Sequence, residues 1–242
     1  MENVEQPKGA SQALRAVGWK AWLRFGAYTL LLPMILFIAA GRLNWVWAWV
    51  YVGIAVSFTF VSRIIVMRTN PDLLAERAQF LEREDVKGWD RPILFFTTLV
   101  GPLAWLIVAG LDERFGWSPQ ISLALRLAAL AIIVLGYSVS TWAMAVNKYF
   151  SAVVRIQKDR GQTVVTDGPY RFVRHPAYAT GIVASLMAPI LLGSLWAFIP
   201  CGLVAVATVI RTALEDRTLL QELDGYKEYA QRVRYRLLPG VW

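Results

Sequence analysis

The chain has 242 residues, 57% of them hydrophobic, and carries a formal net charge of +8. Soluble domains hold roughly 45–50% apolar residues. The excess here lies in long charge-free blocks, with a mean hydropathy of +0.45, and this excludes a single soluble core. The charge is not that of a nucleic-acid binder either, because it follows the boundaries of the apolar blocks.

Residues 1–24 read as a polar tail turning into a basic amphipathic segment with Trp19 and Trp22. The first predicted membrane segment, Phe25–Gly41, is followed by a hairpin turn through Gly41, Arg42, Leu43 and Asn44 and then by Leu43–Ser62. Trp45, Trp47 and Trp49 sit where interfacial anchors are placed. Arg63–Arg91 carries both charge signs. Within it Asn70-Pro71-Asp72 marks a helix start, and Leu73, Leu74, Phe80 and Leu81 give that short helix an apolar face for the membrane surface. Pro92–Leu111 and Leu127–Asn147 are further charge-free segments, joined by a short turn over Asp112–Gln120. Each long block meets the ~20 residues that a helix needs to cross a bilayer. Pro176–Leu214 is too long for one crossing, and Pro189, Gly193-Ser194 and Pro200 divide it into two short helices, about 177–192 and 195–214.

The expected fold is therefore all-α and multi-pass, with about six transmembrane segments, the last two a short hairpin, and interfacial helices besides. With six spans, 22 of the 25 Lys and Arg residues fall on one face; only Arg42, Arg114 and Arg126 lie opposite. The positive-inside rule then puts both termini in the cytosol, with anionic membrane lipids rather than nucleic acid as the partner. The lone Cys201 lies inside the last segment, so neither an internal disulfide nor a thiol-metal site is expected, and the N-terminus shows no cleavable signal pattern. After Arg211, Leu219, Leu223, Tyr226, Ala230, Val233 and Leu237 recur at steps of four and three, one apolar helical face, with a break at Gly225 and an end at Pro239. This predicts a helix pair beneath the spans. Two regions result: 1–147, with four spans and an interfacial loop, and 148–242, with a loop, the hairpin and the tail helices.

Two polar clusters stand out. The first runs from Gln162 to Tyr178, with a turn at Asp167-Gly168-Pro169 and the only histidine, His175, ahead of Pro176 at the mouth of the fifth span. A helix N-terminus offers free N–H groups and partial positive charge to a ligand carboxylate. An interfacial loop with snorkelling Tyr and Arg side chains explains the same residues. The second is Arg211 and Glu215, one helical turn apart at the end of the sixth span. It reads either as a local ion pair or membrane-exit charges, or as a functional pair at the edge of lipid.

Together the clusters resemble the isoprenylcysteine carboxyl methyltransferase family and its bacterial relatives. The resemblance rests on Gly168-Pro-Tyr-Arg-x-x-Arg-His-Pro-x-Tyr178, Arg211-x-x-x-Glu-Asp216 and Gly225-Tyr-x-x-Tyr229, in that order. It covers about Phe150–Pro239 and extends to Asn70-Pro-Asp-Leu-Leu-Ala-Glu-Arg77, which is similar to a segment of bacterial members. It implies S-adenosylmethionine (SAM) as cofactor and a lipophilic acceptor, isoprenylcysteine-like or another isoprenoid or lipid acid, methylated on its carboxylate from the cytosolic side. Carried over residue by residue, it puts cofactor contacts on Gln162, Thr163, Val164, Val165, Tyr170, His175, Pro176, Ala177, Tyr178 and Glu215. Arg155 takes a further cofactor-side position where the eukaryotic enzymes have an amide. Arg211 falls on the residue assigned to the acceptor carboxylate, and Asp216 replaces a second glutamate. No metal is implied. Other expectations are a phospholipid amine methyltransferase, an NADPH-dependent enzyme of the sterol-reductase type, and a non-enzymatic membrane protein.

Overall fold

A computed structural model describes residues 19–242, so the tail ahead of Trp19 and the side chain of Trp22 lie outside the described residues. Eight α-helices follow one another with no strand among the described residues. They are α1 (Trp19–Ala40), α2 (Val46–Thr69), α3 (Pro71–Ala78), α4 (Asp90–Phe115), α5 (Leu123–Val146), α6 (Pro176–Leu192), α7 (Phe198–Glu222) and α8 (Tyr226–Arg232). Four of these, α2, α4, α5 and α7, are long and apolar enough to cross a membrane, while Thr29–Ala40 and Pro176–Leu192 are shorter apolar helices. All six expected segments are therefore helical. Leu30, Ile38, Leu135, Ile199 and Leu203 point outward and are more than half exposed, an apolar girdle that only lipid can cover. The chain is a multi-pass helical membrane protein.

Small residues let the helices approach. A Cβ added at Gly110 of α4 would lie 2.6 Å from Ala39 Cβ and 2.7 Å from the Leu36 carbonyl oxygen on α1. Gly136 of α5 meets the Thr180 carbonyl and Ala184 of α6 in the same way, and Ser140 shares a hydrogen bond with Thr180 across that seam at 2.8 Å. Such close backbone approach replaces the hydrophobic drive that lipid removes. Gly110→Ala should destabilise the bundle by about 1–3 kcal/mol, as overpacking does. Gly53→Ala on α2, where nothing lies within 4 Å, should leave thermal unfolding in detergent unchanged.

The two ends of the bundle are pinned differently. At one end Asp112, buried on α4, accepts from Ser118 N and Oγ and from Ser194 Oγ at 2.6–2.8 Å. This ties the α4–α5 turn to the α6–α7 turn. Arg42 pairs with Glu113, and Arg126 donates to the Leu191 carbonyl. At the other end the segments predicted to share a face do meet: Lys87 N donates to the Val154 carbonyl, and Lys87 Nζ pairs with Glu222. Glu76 of α3 and Asp90 of α4 hold Arg155 and Arg211 from the far side of residue 147, so the two sequence regions interlock here.

Several expectations are corrected. Trp45 is 3% exposed and belongs to the core, and Trp47 is half-buried beneath the Arg126 guanidinium. Only Trp19 and Trp49 of the described residues in those two groups stand out from the protein. The helix after Asn70 ends at Ala78, before Phe80 and Leu81, and turns Leu73 and Glu76 into the protein. The last long helix does not stop near Leu214 but runs to Glu222, because Arg211, Glu215 and Asp216 each find protein partners there. Gly225, at φ +78°, makes the expected break. The chain after α8 leaves the helix and lies along the entry to α6, with Arg174 N and His175 N donating to the Tyr235 and Arg236 carbonyls.

Candidate active site

The non-helical segment between α5 and α6 is ordered by its own side chains. Gln157, 1% exposed, donates to the Tyr149 carbonyl, and its backbone N–H donates to Gln162 Oε1 at 2.7 Å. Tyr149 Oη donates to the Gly161 carbonyl, and Asn147 Nδ2 donates to Tyr170 Oη at 3.0 Å. Gly168 takes φ +58°, and a Cβ there would press on Trp142 at 3.1 Å. The segment thereby forms one wall of a cavity of about 270 Å³ whose other walls are the end of α3, the first turns of α4, the start of α6, the end of α7, and α8. All twelve residues assigned by resemblance line it: Arg155, Gln162, Thr163, Val164, Val165, Tyr170, His175, Pro176, Ala177, Tyr178, Arg211 and Glu215.

Their surroundings differ. At the mouth of α6 the first intrahelical bond runs from Ala179 N to the His175 carbonyl, leaving the N–H groups of Ala177 and Tyr178 ahead of the ladder. Tyr178 Oη donates to Glu215 Oε2 at 2.7 Å, and its ring stacks on His175 at 5.9 Å between centroids. Glu215 makes no ion pair with Arg211 among the described residues. Instead Arg211 donates from Nε and Nη2 to the two oxygens of Asp90, 0% exposed, and from Nη2 to the Ala152 carbonyl at 2.9 Å. Its Nη1 has no protein partner among the described residues. Arg155 is the exception in the set. Every N–H of its guanidinium goes to Glu76, Asp85 or Asp159, so it clamps α3 and the following loop to residues 155–159 and has no donor left for a ligand. Burial alone would lower its pKa, but these carboxylates outweigh that and raise it.

Asp216 is a buried hub under the cavity floor. It receives Tyr226 Oη at 2.9 Å and Arg236 Nε at 2.7 Å, with His175 Nε2 at 3.2 Å. Arg174 Nε lies 3.1 Å away, outside hydrogen-bond alignment. The hub fixes the His175 ring at the α6 entry. Tyr229 Oη donates to the Tyr170 carbonyl. Burial pushes the hydroxyls of Tyr170, Tyr226 and Tyr229 above the ordinary tyrosine range, so they stay protonated.

A second cavity, about 420 Å³ and mostly apolar, lies inside the bundle between α1, α2, α4, α6 and α7. A π-helical turn over Phe96–Val100 precedes Pro102, which has no N–H for the ladder, and both Thr97 and Thr98 line this space. Ala177, Tyr178, Thr98 and Arg211 border both cavities. The inner one continues through Thr29, Pro33, Val52 and Val56 into a groove of about 910 Å³ between α1 and α2, on the lipid-facing surface.

The pattern of the isoprenylcysteine carboxyl methyltransferase (ICMT) family matches residues 129–221, from mid-α5 through the cavity walls to the end of α7. Over residues 129–221 the chain is similar to this family. Protein-S-isoprenylcysteine O-methyltransferase B of Arabidopsis thaliana is 29% identical over 112 residues, 43% of this chain and 54% of that protein. Protein-S-isoprenylcysteine O-methyltransferase of Schizosaccharomyces pombe is 28% identical over 109 residues, 44% of this chain and 46% of that protein. The chain thus spans about half the length of these curated relatives. The solved eukaryotic intramembrane Ras methyltransferase ICMT aligns with a TM-score of 0.43 and 17% identity, covering 98% of this chain and 99% of that one. The ICMT match includes Tyr178, Arg211 and Glu215 but not Glu76, Arg77 or Asp90, which come from the other side of the site. Of these, Glu76 and Arg77 close a segment quoted above, whereas Asp90 carries no sequence signal beyond that of an acidic residue in a first helical turn.

Proposed function

We propose that this chain is a SAM-dependent carboxyl O-methyltransferase whose acceptor is a lipophilic acid of the isoprenylcysteine kind. The observation that carries the reading is the meeting, at Arg211 and Tyr178, of a polar cavity with an apolar one inside the bundle. One ligand of this pair is soluble and the other greasy, as the family's named reaction requires.

The residues present suit the cofactor. Glu215 offers a carboxylate for an ammonium or a ribose, and the free N–H groups at the α6 entry suit a carboxylate. The segment Gln162–Val165 offers an edge for the adenosyl group. Bound there, SAM supplies an electrophilic methyl group that passes in line to a carboxylate oxygen, its C–S bond breaking with the electron pair left on sulfur. The chain's work is then alignment and exclusion of water. Arg211 holds and aims the acceptor carboxylate through Nη1; it stays protonated, and an ionised carboxylate needs no base. Asp90 and the Ala152 carbonyl fix the guanidinium plane. Tyr178 closes the wall between the cavities. Arg155 and Asp216 position the loop and His175 without touching ligand. The cavity end is the cytosolic one, since the Lys- and Arg-rich segments gather there.

Calorimetry of detergent-solubilised protein should give heats with SAM and with S-adenosylhomocysteine, and none with NADPH. Labelled SAM with a host lipid extract should then yield a base-labile, volatile label, the mark of a methyl ester. Binding of NADPH in place of SAM, or a base-stable N-methyl product, would replace this reading with the reductase or the amine methyltransferase.

A further inference from the structure

The cavity contains a cation that the reaction scheme above leaves without a task. Arg77 closes the last turn of α3 and lines the polar cavity with Arg211 and Tyr178. Its contacts are weak: Nη1 lies 3.3 Å from the Phe150 carbonyl oxygen, and the guanidinium sits over the Phe150 ring, 5.6 Å from the centroid. Among the described residues no carboxylate comes within ion-pair distance of it. The other arginines at this cavity each lie within ion-pair distance of a carboxylate: Arg155 of Glu76, Asp85 and Asp159, Arg211 of Asp90, and Arg174 of Asp216, which Arg236 shares. Arg77 and Arg211 hang on alternate carbonyls of one loop, Phe150 and Ala152, so both approach the same edge of the cavity. Next to Arg77 in sequence, Glu76 anchors α3 through Arg155 and Arg83, which holds the helix and its neighbouring cation in place.

Charge balance says what such a cation does. Arg211 and Asp90 cancel, and Glu215 adds a negative charge on the cofactor side. An acceptor carboxylate reaching Arg211 would enter a cavity short of positive charge, and burying an uncompensated anion is costly. We propose that Arg77 is a second recognition residue for the acceptor's anionic group, pairing with it opposite Arg211 and selecting an acid over a neutral or cationic acceptor. This rests on the methyltransferase reading and adds to it the basis of acceptor choice. Burial, with the like charges of Arg63 and Arg211, lowers the Arg77 pKa to about 10, the state of a cation that gains from an incoming anion. Esterification removes the anion, so the product loses both contacts and is released more readily than the substrate binds.

The test uses the full chain in nanodiscs saturated with S-adenosylhomocysteine, with two probes: an N-acylated S-farnesylcysteine and its carboxamide. The wild type should bind the acid at least tenfold more tightly than the amide. Arg77→Ala and Arg77→Gln should each weaken the acid about tenfold, leave the amide and SAM affinities within twofold, and raise KM more than they lower kcat; Arg77→Lys should restore most of the preference. A preference kept intact in Arg77→Gln overturns the proposal while sparing the methyltransferase reading. Equal weakening of acid and amide means a structural role, and a tenfold loss of SAM affinity assigns Arg77 to the cofactor's carboxylate; either overturns it. Loss of phosphatidylethanolamine binding in place of acid binding would make the recognised anion a phosphate and overturn it too. A wild type that binds SAM but does not distinguish acid from amide sinks the carboxyl reading itself.

Discussion

Replacing Asp90 by Ala should cost about 3–5 kcal/mol of stability, the usual effect of removing one partner from a buried ion pair, and should abolish methyl transfer. Asp90 is fully buried and takes both Arg211 Nε and Nη2 as well as the Val154 N–H. Its loss strands a guanidinium and frees the loop that carries Ala152. Asp90→Asn keeps one acceptor oxygen and the side-chain volume, so it should fold; with the guanidinium plane released, turnover should still fall roughly 100-fold, as a displacement of about 1 Å in a reacting pair does. The double variant Asp90→Ala with Arg211→Met separates the two effects. Removing both charges should recover much of the stability and none of the turnover. Chemical unfolding in detergent and a labelled-SAM assay read these quantities, and a double variant with appreciable activity would remove Arg211 from the acceptor site.

Glu215→Gln should weaken SAM binding roughly 10- to 100-fold, the range for a charge-assisted hydrogen bond of about 1.5–3 kcal/mol. Tyr178 Oη already donates to one of its oxygens, which leaves the other for the cofactor. The amide keeps the shape and removes the charge, so the protein should fold as before. Glu222→Gln, on the same helix in an exposed pair with Lys87, should change SAM affinity less than twofold. Calorimetry on the two variants decides it: equal affinities would remove Glu215 from the cofactor site.

How much of this was legible in the sequence differs from residue to residue. The helices were, because apolar runs of about 20 residues have one stable form in lipid, and so were the breaks at Asn70-Pro71, Gly193 and Gly225, which depend on local backbone chemistry. The environment of each tryptophan was not, since a ring at a helix start serves as an anchor or as core, and only packing decides; Trp45 is core. Residues 147–175 have no periodicity to read. Their order comes from side chains such as Tyr149 and Gln157 bonding to backbone. Arg155 lines the cavity as the resemblance implied, yet Glu76, Asp85 and Asp159 occupy its donors. Asp90 lies 121 residues from Arg211, and nothing local announces such a partnership.

The two cavities meet at a wall but open in different directions, one among the loops and the other through the α1–α2 groove. On the proposed assignment neither ligand stands in the other's doorway. Donor and acceptor can then associate in either sequence, and spent donor can be exchanged while a fresh lipid waits in the bundle. Initial-rate patterns should accordingly be those of a random-order ternary mechanism, with product inhibition by S-adenosylhomocysteine competitive against SAM alone.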